Sequence, residues 1–197
     1  MEIIRKSSFR ASPWKNGGGI THEVIRVPER LDPFRWRVSV AQVDVSGPFS
    51  DFADYDRKMV LLRGAGVRLT FEGGGHADLR DVGDMAEFDG AWATRCELVA
   101  GPCADLNLMV SKSIKGARAW VERLREPRSL HPHRETTLAF AINGVVSLDT
   151  GNGAVTSLQA WDLAVAVPED RVVVGPAALD GSAAPLVFFA TLDDNSP

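Results

Sequence analysis

The fold is indicated by a segment that occurs twice. The first copy begins with the apolar segment Met59-Val60-Leu61-Leu62-Arg63-Gly64. A strand-like segment, a glycine turn and Gly83-Asp84 follow it, and then comes another apolar strand. The second copy begins about 80 residues later with Leu138-Ala139-Phe140-Ala141-Ile142-Asn143-Gly144. It also continues with a strand-like segment, a glycine turn and an apolar strand, and Trp161-Asp162 precedes that last strand. Short strands joined by glycine and proline turns are typical of antiparallel sandwiches and barrels. We therefore predict an all-β chain with two jelly-roll barrels side by side.

The repeat divides the chain near residue 112. We predict an N-terminal barrel over residues 1–112 and a degenerate C-terminal barrel over residues 113–197, packed as one compact unit. The chain has 197 residues and is 45% hydrophobic, which is enough for a substantial core.

Net charge and cysteine content limit the classes of partner and the compartment that we expect for this protein. The net charge of −4 and the pI near 5.6 argue against nucleic acid or an acidic membrane as a partner, because both attract basic surfaces. No stretch approaches the roughly 20 apolar residues that span a bilayer, and the N-terminus lacks the apolar run of a signal peptide. We expect Cys96 and Cys103 to be reduced thiols of a cytoplasmic protein.

The most unusual stretch is Pro13-Trp14-Lys15-Asn16-Gly17-Gly18-Gly19-Ile20-Thr21-His22-Glu23. Three consecutive glycines occur where a backbone turns tightly or approaches another group closely. The stretch is therefore either a structural corner or a loop that presents its N–H groups to a ligand. It is not a phosphate-binding loop, because the required spacing to a Lys-Ser/Thr pair is absent.

The segment Arg35-Trp36-Arg37-Val38-Ser39-Val40 alternates strictly, as a strand does. Its apolar residues lie on one face, and Arg37 and Ser39 lie on the other. The apolar phase then shifts to Val43 and Val45, which predicts a bulge near Ala41-Gln42.

Two further polar residues accompany apolar strands. Arg57 follows Asp56 directly before one strand, and Asn107 lies on the opposite face from its leucine neighbours. Arginines inside a barrel need anionic partners, which either Glu23 and Asp56 or a small carboxylate ligand would supply. Arginine suits a carboxylate because it binds it through two parallel hydrogen bonds.

Metal and nucleophilic sites have weaker support. His131-Pro132-His133 with Glu135 is similar to a metal-ligand pattern, but it lies in a proline-rich loop and no later histidine completes it. Cys103 has no adjacent histidine in the sequence, and no nucleophile motif is present. We therefore expect no metal, no cofactor and no nucleophilic cysteine.

Four ordered blocks within residues 1–110 resemble the HutD/Ves family. They are the glycine stretch of residues 13–23, residues 34–41 followed by 47–50, residues 55–57, and residues 101–102 with 105–109. The resemblance implies a double-stranded β-helix (cupin) fold with two barrels in one chain, a bicupin. It also implies a bacterial cytoplasmic protein that is often encoded with histidine-degradation genes and has a non-catalytic or undefined role.

The family's suggested role is to regulate pathway flux by binding formylglutamate or a related intermediate, such as urocanate, in the first barrel. The positions that match the family's motifs, and that we expect to bind ligand, are Trp14, Asn16, Glu23, Arg37, Ser39, Phe49, Arg57 and Asn107. In this hypothesis Arg57, with Arg37, binds the carboxylate. Asn16 and the glycine-loop amides orient it, and Trp14 or Phe49 covers it.

Three alternatives stay open. One is a metal-independent isomerase or hydrolase with Glu23 as general base. Another is a structural or interaction protein whose barrel interior is filled, and a third is the stress-linked role of the Ves branch. A homodimer through edge strands is also an option for a barrel protein of this size.

Overall fold

The structure is a computed structural model that describes residues 1–29, 32–130, 135–151, 155–177 and 183–193. Strands, together with a short 3₁₀ turn at Lys6–Ser8, make up the regular structure of these residues. The strands are β1 (Glu2–Ile4), β2 (Arg10–Pro13), β3 (Gly19–Val27), β4 (Trp36–Val43), β5 (Gly47–Pro48), β6 (Tyr55–Arg63), β7 (Val67–Phe71), β8 (His76–Leu79), β9 (Met85–Asp89), β10 (Thr94–Leu98), β11 (Cys103–Ser111), β12 (Arg118–Arg123), β13 (Arg128–Leu130), β14 (Thr136–Ala141), β15 (Val146–Asp149), β16 (Val155–Leu158), β17 (Leu163–Ala166), β18 (Val172–Pro176) and β19 (Leu186–Leu192). Within the described ranges, no helix has the length and apolar character needed to cross a membrane.

The chain forms two compact units. Residues 9–113 make up one, and residues 1–8 with 114–197 make up the other. The first eight residues differ from our prediction, which assigned them to the N-terminal barrel. They belong to the second unit because β1 hydrogen-bonds to β17 there, with Ile3 opposite Ala164 and packed on that unit's core.

The N-terminal unit consists of two antiparallel sheets. The larger has the strand order β2-β3-β4-β11-β6-β9, and the smaller has the order β5-β10-β7-β8. Apolar side chains of both sheets, among them Met59, Leu61, Leu69 and Phe88, form a buried core between them. This core occupies only part of the unit's interior, which leaves room for the cavity described below.

The C-terminal unit repeats this topology. Its sheets have the orders β1-β17-β14-β19-β12 and β13-β18-β15-β16. The run β17-β14-β19-β12 corresponds to β9-β6-β11-β4, and β13-β18-β15-β16 corresponds to β5-β10-β7-β8. The same strands thus pair in the same order, which confirms the predicted duplication.

The two interiors differ in polarity. In the C-terminal unit, Val187 and Phe189 of β19 join Ala139 and Ala141 of β14 in an apolar core, and Trp120 stacks on Phe189 with 5.5 Å between ring centroids. The corresponding strand of the N-terminal unit, β11, instead carries buried Asp and Asn side chains at alternate positions. The described interior of the C-terminal unit is therefore hydrophobic, whereas that of the N-terminal unit is polar in part.

The bulge predicted near Ala41-Gln42 is wrong. Strand β4 pairs with β11 without a register shift from Trp36 to Val43. The shift between β3 and β4 lies instead on β3, between Glu23 and Ile25. The apolar phase changes along β4 because its inward face runs from the polar cavity to the apolar core.

Candidate functional site

A cavity of about 630 Å³ lies in the N-terminal unit. All eight residues that we expected to bind ligand line it, and these are Trp14, Asn16, Glu23, Arg37, Ser39, Phe49, Arg57 and Asn107. Arg26, Phe52, Asp105 and Met109 line it as well. The structure therefore brings the expected residues together, while their contact with a ligand stays a prediction.

Strand pairing explains why three arginines meet at the cavity. Arg26 of β3 lies opposite Arg37 of β4, Arg37 lies opposite Met109 of β11, and Met109 lies opposite Arg57 of β6. These cross-strand neighbours form a row across the sheet, and such neighbours have close Cβ atoms. The row places three cations along one wall of the cavity.

Glu23, Ser39 and Asn107 form the next row, again as cross-strand partners. The bulge at Val24 lets Glu23 face the same cavity as Arg26, although regular alternation would send residues three apart to opposite faces. A carboxylate is thereby placed beside the cations of the first row.

Arg57 begins a chain of buried polar groups. Its Nε and Nη2 atoms donate to Asn107 Oδ1 at 3.2 and 3.1 Å. The Asn107 Nδ2 atom in turn donates to Asp105 Oδ1 at 3.0 Å. Asn107 thus connects the Arg57 guanidinium to the Asp105 carboxylate. Burial lowers the pKa of Arg57 to about 10.

Asp105 is fully buried and lines the cavity. Burial raises the pKa of its carboxyl group to about 6, against the lowering effects of the Asn107 hydrogen bond and of Arg57. Its second oxygen, Oδ2, is buried without a hydrogen-bond partner. Buried polar atoms in native proteins are nearly always paired with protein groups or ordered water, so this oxygen has capacity for one further hydrogen bond.

Arg37 is the least satisfied of the three arginines. Its Nε atom is buried without a hydrogen-bond partner, and its Nη2 atom contacts only the thioether sulfur of Met109, at 3.2 Å. Its guanidinium carbon lies 5.1 Å from the Phe34 ring centroid and 5.3 Å from that of Phe52. Burial and the neighbouring Arg26 cation lower its pKa.

Glu23 is held by an ion pair. Its Oε2 atom accepts a hydrogen bond from Arg26 Nε at 3.0 Å. A general base needs a free lone pair within reach of the substrate proton, and this pair occupies one carboxylate oxygen. A neighbouring cation opposes protonation of a carboxylate, so the ion pair counts against the alternative that uses Glu23 as general base. Asp105 differs from Glu23 in that its unpaired oxygen is buried.

The glycine stretch forms a structural corner. The Gly17 amide donates to the Trp14 carbonyl oxygen at 3.0 Å, and the Gly18 amide donates to Asn16 Oδ1 at 3.0 Å. A Cβ atom at Gly19 would overlap the Gln42 carbonyl oxygen of β4. The amides of Gly17 and Gly18 are therefore already paired within the loop, which argues against their orienting a ligand.

The corner sets the position of Trp14. The indole Nε1 atom donates to Thr21 Oγ1 at 2.7 Å, and the ring meets Phe49 edge-on with 6.3 Å between centroids. Phe49 also lies under the Arg57 guanidinium, 5.3 Å from ring centroid to Cζ. Trp14 and Phe49 line both the main cavity and a second cavity of about 200 Å³, so they stand at the boundary between the two.

Asp105, Met109, Arg26 and Phe52 are among the lining residues that sequence reasoning missed. Asp105 had a usable signal, because it lies two residues before Asn107 and a strand turns such residues to one face. Met109 follows the same rule. Arg26 could not be placed without the β3 bulge, and Phe52 lies in a loop between strands, where no periodicity applies.

The histidines and cysteines are the side chains that we considered for metal or thiol chemistry. No group of three or more His, Cys, Asp or Glu residues among them could hold a metal ion, and His131 and His133 lie outside the described ranges. Cys96 and Cys103 are free and buried in the apolar core, and burial raises the pKa of each thiol to about 12.

Comparisons of the sequence identify related bacterial proteins. The HutD family model matches residues 6–181. An uncharacterised 21.2 kDa protein in the hutC 3′ region of Pseudomonas putida is 34% identical over 164 residues, or 82% of this chain and 84% of that protein. Protein Ves of Escherichia fergusonii is 30% identical over 110 residues, or 55% of this chain and 57% of that protein.

Solved structures share the fold. A conserved protein of unknown function from Pseudomonas aeruginosa PAO1 has a TM-score of 0.85 at 30% identity, covering 98% of both chains. HutD from Pseudomonas fluorescens SBW25, solved in a formate condition, has a TM-score of 0.77 at 27% identity, covering 97% of this chain and 98% of that one. A B. subtilis oxalate decarboxylase variant has a TM-score of 0.65 at 12% identity, covering 99% of this chain and 78% of that one. These likenesses confirm the predicted cupin-type fold with two barrels.

Proposed function

This chain belongs to the HutD family, and we propose on that premise that its N-terminal unit binds a small carboxylate metabolite without transforming it. Formylglutamate and urocanate are the expected ligands, and the protein would act as a cytoplasmic regulator of flux through histidine utilization. The regulatory part rests on the family and on the P. putida relative, which lies in the hutC 3′ region.

The observation that carries the binding proposal is the Arg37 guanidinium. It lines the cavity with an unpaired, buried Nε atom, and the structure provides only a thioether for its Nη2 atom. A guanidinium held in this way would gain charge-assisted, bidentate hydrogen bonds from a carboxylate.

The charge balance of the cavity favours an anionic ligand. Among the described residues, its lining includes the side chains of Lys15, Arg26, Arg37 and Arg57 but only two acids, Glu23 and Asp105. Arg26 and Arg37 are directly opposite in the pairing of β3 with β4, where like charges repel. An added carboxylate would reduce this repulsion.

Phe52 supports the same role by ordering two of the cations. The Arg37 and Arg57 guanidinium carbons lie 5.3 and 5.7 Å from its ring centroid. Cation–π contacts of this kind contribute about 0.5–2 kcal/mol each. The arginines are thus preorganised, which lowers the entropy cost of binding a ligand.

The test is a thermal-shift and calorimetric titration with formylglutamate, urocanate, glutamate, histidine and formate. A ligand at 100 times its Kd stabilises the native state by about 2.7 kcal/mol, which corresponds to a rise in Tm of roughly 5–10 °C for a chain of this size. Formate is included because the P. fluorescens HutD was solved in a formate condition.

Arg37→Met should abolish the shift, since it removes the cation and keeps a side chain of similar length. Arg95→Met is the matched control, because Arg95 is exposed on β10 and does not line the cavity. Binding that survives in Arg37→Met, or the absence of heat and shift with all five compounds at millimolar concentration, would refute the proposal.

A further inference from the structure

The cavity holds two complementary buried atoms that lack partners. Among the described residues, the buried side-chain nitrogen and oxygen atoms without a hydrogen bond are Arg37 Nε and Asp105 Oδ2. Both residues line the same cavity, one as a donor and the other as a carboxylate acceptor. A simple carboxylate would satisfy the first and leave the second unpaired.

Asp105 is built into the site rather than placed there incidentally. It is fully buried on β11, and Asn107 holds its other oxygen at 3.0 Å. Asn107 itself is fixed by two hydrogen bonds from Arg57. The carboxylate therefore has a set orientation, and its second oxygen has no hydrogen-bond partner among the described residues.

From this geometry we propose that Asp105 is a specificity residue that accepts a hydrogen bond from an O–H or N–H group of the ligand. The inference rests on the proposed function and narrows it. The ligand class becomes carboxylates that also carry an O–H or N–H donor, as hydroxy acids, N-formyl amino acids and urocanate do, and carboxylates that lack a donor are bound poorly. The physical reason is that a buried carboxylate oxygen left unpaired costs more than a missing contact at the surface.

Three probes of nearly equal size separate the alternatives. 2-Hydroxyglutarate, tested as both enantiomers, carries a donor; 2-oxoglutarate carries only an acceptor at the same carbon; and glutarate carries neither. We expect one enantiomer of 2-hydroxyglutarate to bind the wild-type protein at least about tenfold more tightly than glutarate, the factor expected for a hydrogen bond to a charged group. 2-Oxoglutarate should be the weakest, because two acceptors would face each other.

Two variants link the preference to Asp105. Asp105→Asn keeps the side-chain shape and replaces Oδ2 by an N–H donor, so 2-oxoglutarate should become the preferred ligand. Asp105→Ala removes the acceptor, so 2-hydroxyglutarate and glutarate should bind with the same affinity. The Ala variant answers the question even if the Asn variant does not fold.

Each outcome is decisive. Equal binding of the three probes to the wild-type protein overturns the role of Asp105 but leaves the carboxylate site standing. An unchanged preference in the variants overturns the assignment to Asp105. If these probes do not bind while another carboxylate does, the inference fails alone; if no carboxylate binds, the proposed function fails with it.

Discussion

Replacing Asp105 with asparagine should stabilise this protein at neutral pH. Burial raises the pKa of the Asp105 carboxyl from 3.8 to about 6. A difference of roughly two pKa units corresponds to about 3 kcal/mol by which the ionised carboxylate opposes folding. Asparagine has the same shape, can still accept the hydrogen bond from Asn107 Nδ2, and carries no charge that must be desolvated.

The effect has a definite pH dependence. Because the folded-state pKa lies above the unfolded one, the folded protein binds more protons between about pH 4 and pH 6. The contribution of Asp105 to wild-type stability is therefore favourable at low pH and is lost as the pH rises through this range. The Asn variant lacks this titration, so its advantage should grow from near zero at pH 4 to about 3 kcal/mol at pH 8.

The assay is urea and thermal unfolding of both proteins at pH 4.5, 6 and 8, followed by the fluorescence of the five tryptophans. At pH 8 the variant should unfold roughly 6–12 °C higher. Asp78→Asn is the control, because a hydrogen bond from exposed Arg68 lowers the Asp78 pKa to about 2, and its removal should not stabilise the protein at pH 8. A variant less stable than wild type at pH 8, or a difference independent of pH, would refute the reasoning.

Three other perturbations have defined outcomes. Asn107→Leu should lower the unfolding free energy by about 3 kcal/mol in urea denaturation, because it removes the hydrogen-bond partner that Arg57 and Asp105 share. A loss below about 1 kcal/mol would contradict that reasoning. Gly19→Ala should lower the unfolding free energy by about 1–3 kcal/mol, because the added Cβ overlaps a β4 carbonyl oxygen. Gly47→Ala is the control and should lower it less, because the space around Gly47 is open. Equal losses in the two variants would argue against the overlap. Cys96 and Cys103 should resist labelling by iodoacetamide at pH 8 until urea unfolds the protein, since burial raises the pKa of both thiols. Rapid labelling of the native protein would contradict this prediction.

Local pattern was sufficient to predict the architecture. Strand alternation and glycine turns repeat with a spacing of about 80 residues, and the matching sheet orders of the two units confirm the duplication. The family resemblance, carried by motifs in residues 1–110, is confirmed by a family match that extends over residues 6–181. The assignment of β1 failed because a strand's hydrogen-bond partner depends on which sheet edge is open, and a short strand carries no signal for that choice.

Strand alternation also predicted that some of the site residues lie on one face of a sheet. Arg37 and Ser39 are two residues apart on β4, and such spacing turns both side chains to one face of a strand. The bulge at Val24 and the loop position of Phe52 were beyond this rule, because both depend on pairing and packing with distant segments. The sequence did offer Glu23 as an anionic partner of an arginine, and the structure pairs it with Arg26. The buried, half-paired state of Asp105 was invisible, since it depends on which partners the carboxylate meets.

The sequence alone determined that this chain is an all-β, two-barrel protein of the HutD type with cationic and amide side chains in its first half. Those properties follow from periodicity, turn residues and local motifs, which act over a few positions of the chain. Only the tertiary structure decided which groups are already paired: Arg26 neutralises Glu23, whereas Arg37 Nε and Asp105 Oδ2 stay unsatisfied. Burial and hydrogen bonding are set by strands far apart in sequence, so the chemical character of the cavity emerges only when β3, β4, β6 and β11 lie side by side.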